Sequence, residues 1–313
     1  MTRPIIFCLF LLGLGFFQAA AAQDYQDLRY KLTQGDRFEV TEHSQEDSYL
    51  TLDGIQKRTT RQMDAVILFT VTALTPAAAT IEGKITQLTL VSSGDNQRVS
   101  VNTKSGEEDV YNKAFRPIIG KPFNLTMSPY GIIKTISGLE SAFDGIINTL
   151  GLKKTEEKDA MRQLLQSLFG AEPLKARLTL ILPHYPSHQV RSGDTWSDVV
   201  YTDGFYHGRI NNYWKMEYGD AHTIRLSNKG KFSTDKSEEV DMGSGLRGLI
   251  DLGGETQGQF AVEPETGWPN LCTQHTELEG KYTYKANKKL KIKKDLEVPV
   301  RVVSDISYHI KHL

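Results

Sequence analysis

The sequence predicts an α+β fold built mainly from antiparallel sheet, with two β-rich regions joined through a central pair of amphipathic helices. Three observations carry this expectation. Apolar and polar residues alternate between Leu28 and Ile136, the period becomes helical between Leu139 and Leu168, and alternation resumes after Arg177. The corresponding divisions are a leader at 1–22, a first β-rich region at 23–137, the helical pair at 138–176 and a second β-rich region at 177–313.

The leader comes first. Arg3 is followed by an apolar run from Ile5 to Phe17 and then by Ala19-Ala20-Ala21-Ala22. A basic start, an apolar core and an A-x-A site predict a secretory signal peptide cut after Ala22. The run is too short to cross a bilayer core of ~30 Å as a helix. Cys8 lies inside it and would leave with it, so Cys272 alone remains and an internal disulfide is excluded. No cysteine stands at the cleavage point, which argues against a lipid anchor. The expected product is a soluble exported protein, periplasmic or extracellular. Loss of Arg3 takes the formal charge from -1 to about -2, so no global field favours nucleic acid.

Gln62 to Thr72 is β-branched and largely apolar, as a well-buried strand requires. Thr80 to Val91 alternates around Ile81, Ile85 and Leu88, with Gly83 as an expected bend. Phe123, Leu125 and Met127 lead into Ser128-Pro129-Tyr130-Gly131, and Ile132 to Ile136 returns, which is a hairpin pattern. Ser137-Gly138-Leu139-Glu140 fits a capping box before a helix whose stripe is Leu139, Ala142, Phe143, Ile146, Ile147 and Leu150. Gly151 supplies a left-handed stop. Thr155 is the expected cap of a second helix, with Met161, Leu164, Leu165 and Leu168 as its apolar stripe and Gly170 at its end. Beyond Arg177, turns are expected at Asp203-Gly204, Asn228-Lys229-Gly230, Gly243-Ser244-Gly245 and Gly253-Gly254. Gly35-Asp36-Arg37-Phe38 is echoed by Gly193-Asp194-Thr195-Trp196, and Phe123 through Gly131 by Phe260 through Gly267. An internal duplication is one reading of the echoes, and the generic chemistry of hairpin turns is the other.

Catalytic signatures are incomplete. Gly243 to Gly248 matches G-x-G-x-x-G, but an acidic, polar segment precedes it where a dinucleotide site needs an apolar strand. His184 and His188 have zinc-like spacing, yet Pro186 forbids the helix that would align them. No G-x-S-x-G elbow occurs. Cys272 is expected as a small buried apolar residue. Lys285 to Lys294 holds six lysines around Leu290 and Ile292 and is expected as a strand with one basic face. It suits an edge protected against pairing, or contact with an anionic surface through Lys288, Lys289, Lys291 and Lys293. Tyr201 to Tyr218 is rich in aromatics, which pack sheets as cross-strand pairs or wall a ligand site.

Several turns and strand starts together resemble uncharacterised families of exported bacterial β-rich envelope proteins. They are Leu32-x-x-Gly35-Asp36-x-Phe38, Ser128-Pro129-Tyr130-Gly131-Ile132-Ile133, Gly193-Asp194-Thr195-Trp196 and Glu263-Pro264-Glu265-Thr266-Gly267. The resemblance implies an envelope protein with no assigned reaction and carries over no catalytic residue. A more distant likeness of organisation is to periplasmic lipoprotein carriers, whose curved sheet and helices hold acyl chains. The leading functional expectation is a non-catalytic envelope module binding an apolar small molecule or lipid, or an envelope protein partner. Its ligand wall is expected at Phe205, Tyr206, Tyr213 and Trp214, with Phe143 and Ile147 from the first helix. No cofactor, metal or nucleic acid is expected. The competing expectations are a hydrolase of envelope polymers using Glu238, Glu239 or Asp241, and a structural assembly component.

Overall fold

The computed structural model describes residues 25–94, 97–203, 207–235, 239–243 and 245–313, so the leader lies outside the described residues. The strands are β1 (Arg37–Leu52), β2 (Ile55–Thr75), β3 (Ala78–Gly94), β4 (Gln97–Asn102), β5 (Pro122–Met127), β6 (Ile133–Ser137), β7 (Thr195–Asp203), β8 (His207–Gly219), β9 (Ile224–Thr234), β10 (Val240–Gly243), β11 (Leu246–Val262), β12 (Pro269–Tyr284) and β13 (Leu296–His312). The helices are α1 (Val110–Phe115), α2 (Glu140–Thr149), α3 (Thr155–Phe169) and α4 (Ala171–Ile181).

Among the described residues all the strands belong to one 13-stranded antiparallel sheet, ordered β6-β5-β3-β2-β1-β13-β12-β11-β9-β8-β7, with β4 on β3 and β10 on β11. This corrects the expected α+β fold with two β-rich regions. The two halves merge because β1 and β13 pair from Phe38↔His312 to Leu50↔Val300. Alternation reports that a segment is a strand with one buried face, but not which strand lies beside it. The echoed turns are built alike all the same. Asp36 accepts from Thr33 N–H at 2.7 Å and Asp194 from Arg191 N–H at 3.1 Å, each beside a glycine at positive φ.

The sheet is strongly curled. Helix α4 touches β6 and β7, the two ends of the strand path, and also β12 near its middle. One helix can reach all three only if the sheet wraps around it. The wrap also covers the end strands, which would otherwise offer unpaired backbone to other chains.

Alternation fixes which face looks in. Phe38 and Val40 on β1, Ile67 and Phe69 on β2, and Ile81 and Ile85 on β3 are buried in the main core cluster, to which the helices also contribute. The intervening residues face solvent and pair as charges across strands, as in Arg58–Asp47 at 2.9 Å and Lys281–Glu297 at 2.6 Å. Gly83 proves to be a place for an aromatic ring inside β3. It pairs with Phe123, and a Cβ there would lie 2.3 Å from the ring.

One end of the curl is closed by aromatic residues. Trp268 stacks on Phe38 at 4.4 Å between ring centres and meets Tyr30 edge-on at 5.4 Å. The segment before β1 is stitched in by Tyr30 N–H to Pro129 O (2.8 Å) and Lys31 N–H to Thr266 O (2.7 Å). Gly267 must be glycine here: its φ is +68°, and a Cβ would fall 1.9 Å from Arg29 O.

Local expectations are corrected at six places. Strand does not resume after Arg177, because α4 runs to Ile181 and β7 begins only at Thr195. Glu140 does not close a capping box on Ser137, which ends β6. Its carboxylate instead accepts from Ala171 N–H at 2.9 Å, at the start of α4. Thr155 is the first residue of α3, and the cap position falls on Lys154. Asn228 to Gly230 and Gly253-Gly254 are strand interiors of β9 and β11, with Gly230 and Gly254 required by close packing. Lys285 to Lys294 is a loop, because the Asn287 side chain accepts from Lys289 N–H (3.0 Å) and Leu290 N–H (3.2 Å) and Lys291 sits at φ 61°. Gly151 does end α2 in the left-handed region, and the β5–β6 hairpin turns at Gly131 (φ 89°).

Candidate functional site

A cavity of about 530 Å³ lies inside the curl, between α3 and α4 on one side and the sheet on the other. It exists because the helices do not reach the end of the sheet opposite the aromatic plug. There a second apolar cluster forms from Ile210, Phe232, Ile250, Leu252, Leu278, Tyr282, Val300 and Val302, with Leu180 of α4 packed against it. Ile210, Phe232, Leu278, Tyr282 and Val302 line the cavity, as do Ala176 and Leu180 of α4. The inward phase of β1 records the change along the curl. Phe38 and Val40 are core, whereas Glu42, Ser44, Glu46, Ser48 and Leu50 line the cavity, Glu42 buried and the other four half-buried.

Polar groups meet at the deep end. Glu42 is 1% exposed. Arg177 of α4 approaches it with Nε 3.6 Å from Oε2, an ion pair without a hydrogen bond, while its Nη1 donates to Met63 Sδ at 3.4 Å. Tyr308, opposite Glu42 in the β1–β13 register, brings its hydroxyl to the same place. Both Glu42 oxygens, Arg177 Nε and Tyr308 Oη are buried without a hydrogen bond from the chain. Burial pushes the Glu42 carboxyl up from its ordinary value, against the downward pull of the Arg177 charge and the nearby Tyr308 hydroxyl. Burial likewise pushes the Tyr308 phenol well up. Arg61 and Glu46, paired at 2.8 Å, line the cavity farther out.

From Glu42 a belt of polar residues crosses the inner face. Gln274 Nε2 donates to Thr256 at 2.9 Å, and Thr276 reaches the same hydroxyl at 3.3 Å. Gly258 leaves the space for two of the belt's amides. A Cβ there would lie 2.4 Å from both Asn228 Oδ1 and Gln274 Oε1. Those two oxygens and His184 Nε2 border a small void of about 10 Å³, roughly the room one water needs. His184 Nδ1 is bonded to Asp198, whose other oxygen accepts from Trp214 Nε1 at 3.1 Å. Burial alone would raise the Asp198 carboxyl, but the bond and charge of His184, with Trp214 and Asn212, hold it below the ordinary value.

The sequence-predicted residues scatter. Phe205 and Tyr206 lie outside the described residues. Tyr213 is 65% exposed on the outer face, while Trp214 is buried, borders the small void and stacks parallel to Trp196 at 6.2 Å. Phe143 and Ile147 of α2 are buried in the main core and do not line the cavity. Lys288, Lys289, Lys291 and Lys293 are exposed together on the β12–β13 loop, just beyond the cavity residue Tyr282. Glu238 lies outside the described residues, and Glu239 pairs with Arg247 at 3.5 Å. His188 is exposed and apart from the buried His184. Among the described residues, no three His, Cys, Asp or Glu side chains are grouped to hold a metal. Cys272 is buried, its thiol pushed up by burial.

A model of a family of unknown function (DUF6263) matches residues 77–269. The chain belongs to that family. The DUF6263 match spans β3 to the first residue of β12 with helices α1 to α4, so it includes Arg177, Ile210 and Phe232. Glu42, Tyr308 and Leu278 lie outside it. No curated protein matches the chain. Among solved structures, one on lipid–protein interactions in lipovitellin is similar at 13% identity and a TM-score of 0.47, covering 89% of this chain and 25% of that one. The outer membrane protein OprG of Pseudomonas aeruginosa is similar at 7% identity and a TM-score of 0.26, covering 90% and 98%. An outer membrane channel of Pseudomonas putida F1 is similar at 8% identity and a TM-score of 0.26, covering 92% and 99%. The chain thus spans a quarter of the lipovitellin chain it resembles. Likenesses this weak establish neither function nor ligand. Among the described residues, no helix is long and apolar enough to cross a membrane.

Glu42, Arg177 and Tyr308 were missed by sequence reasoning, although one signal was present. Glu42 holds the inward phase of a strand that starts Phe38-x-Val40, and a carboxylate in that phase marks either a buried partner or a cavity.

Proposed function

We propose that this protein is a non-catalytic binding module for an apolar ligand, held in the cavity between α4 and the curled sheet. It acts outside the cytoplasm after its leader is removed behind Ala22. The observation that carries this reading is the cavity itself. At about 530 Å³ it falls within the ~300–1,000 Å³ of small-molecule sites, and one wall is the apolar cluster around Ile210 and Leu278. The charged outer face supports a water-facing carrier, because a barrel embedded in lipid turns apolar residues outward.

Uptake of the neutral dye N-phenyl-1-naphthylamine tests the reading. The expected result is a saturable fluorescence rise in the full chain that is abolished in Ile210→Trp, whose indole fills the cavity, with the unfolding midpoint little changed. No uptake by the full chain, or equal uptake by the variant, would overturn it.

The β12–β13 loop extends this proposal. Lys288, Lys289, Lys291 and Lys293 would bring the cavity rim to an anionic surface. Each lysine near such a surface is worth roughly 1 kcal/mol, so changing all four to Gln is expected to weaken binding to phosphatidylglycerol vesicles by more than about tenfold. Cosedimentation that does not change would remove the loop from the account.

A further inference from the structure

At the deep end of the cavity three polar groups are left without hydrogen bonds by the fold: the Glu42 carboxylate and Arg177 Nε of two lining residues, and the Tyr308 hydroxyl behind them. Glu42 is 1% exposed, and it lines the cavity together with Arg177. Burying such groups unmet costs about 1–3 kcal/mol each, more when charged. An interior shaped only for hydrocarbon would not hold them.

We infer that the cavity takes a neutral, hydroxyl-headed amphiphile, with its head group bonded at Glu42, Arg177 and Tyr308 and its chain lying against Ile210, Leu278 and Val302. This deepens the apolar-ligand reading and rests on it. The charges of the lining select the head group. Glu42 and Glu46 stand against Arg177 and Arg61, two acids against two bases, so the cavity is balanced before a ligand enters. A carboxylate head would satisfy Arg177 but meet Glu42 as a like charge, and a cationic head would meet Arg177 in the same way. A plain hydrocarbon would leave all three groups without a bond. A hydroxyl donates to the carboxylate and accepts from Arg177 Nε or Tyr308, adding no charge to a buried site.

The test is displacement of N-phenyl-1-naphthylamine from the full chain at pH 7.5 by monolauroylglycerol, dodecanoate or dodecyltrimethylammonium, each below its micelle concentration. The glycerol ester is expected to bind at least about tenfold more tightly than either charged probe. That preference should vanish in Glu42→Leu/Arg177→Met, which replaces the pair by apolar groups of similar size, and shrink in Tyr308→Phe, while dye uptake persists in both. Equal binding of the three probes, tighter binding of dodecanoate, or a preference that survives in the double variant would overturn the head-group assignment and leave the apolar-ligand reading standing. If the dye does not bind the full chain, the apolar-ligand reading and this inference fall together.

Discussion

Replacing Arg177 by Met is expected to lower the unfolding free energy by about 3–5 kcal/mol at pH 7.5, because it leaves a charge buried without its partner. Glu42 is 1% exposed and would keep only the neighbouring Tyr308 hydroxyl and the Arg61 charge. The loss should be pH-dependent, with a definite sign. Burial already raises the Glu42 carboxyl above its ordinary value of 4.5, and the Arg177 charge opposes that rise. Without Arg177 the folded carboxyl should bind its proton still more tightly than the unfolded one. Stability therefore increases as pH falls from the raised folded value toward 4.5, since the folded state takes up the extra proton. Urea unfolding at pH 7.5 and pH 5 should show a smaller deficit at the lower pH. Glu42→Leu/Arg177→Met should recover most of the loss, because an apolar pair of similar volume replaces a buried ion pair at little cost. An equal deficit at both pH values would mean that Glu42 does not carry the effect.

Trp268→Ala should be about as damaging for a different reason. Its ring stacks on Phe38 and meets Tyr30 edge-on, joining β1, the start of β12 and the segment before β1 at the closed end of the curl. Truncating a buried Trp removes its transfer free energy and leaves a hole, a loss of about 3–5 kcal/mol. Phe38 belongs to β1 and Tyr30 to a stretch held by a few backbone bonds, so this end should also loosen locally. Hydrogen exchange should accelerate at Tyr30 and Lys31, whose N–H groups bond Pro129 and Thr266. A loss below about 1 kcal/mol would show that the plug repacks around the hole.

The sequence made the strands legible and hid how they join. Phe38-x-Val40 and Phe123-x-Leu125-x-Met127 announce one-sided strands, and the structure buries that side in each case. The pairing of β1 with β13 unites residues at opposite ends of the chain, and no local pattern reports it. The end of helix α4 looks like strand in the sequence because Arg177-Leu178-Thr179-Leu180 alternates polar and apolar residues, the period of a one-sided strand. Gly230 and Gly254 looked like turns because glycine is the commonest turn residue. Inside a tightly curled sheet glycine also answers a need for space, here for the Thr256 side chain and for Glu277 O.

The site was the least legible part. Aromatics drew attention to Tyr213 and Trp214, but neighbouring residues on a strand face opposite ways, so the two could not share one wall. The cavity instead depends on where two helices stop short of the end of a sheet, which is a tertiary property. Its polar end was visible only as Glu42 in the inward phase of β1, and Arg177 and Tyr308 become its neighbours through the fold alone.

Native mass spectrometry of the full chain, purified without detergent from expressing cells and compared with Ile210→Trp, tests the central claim most directly. The account predicts an adduct of lipid-like mass on the unsubstituted chain, removable by organic extraction, and a bare Ile210→Trp variant. A bare unsubstituted chain that also takes up no added amphiphile, or an adduct that persists with the cavity filled, would contradict it.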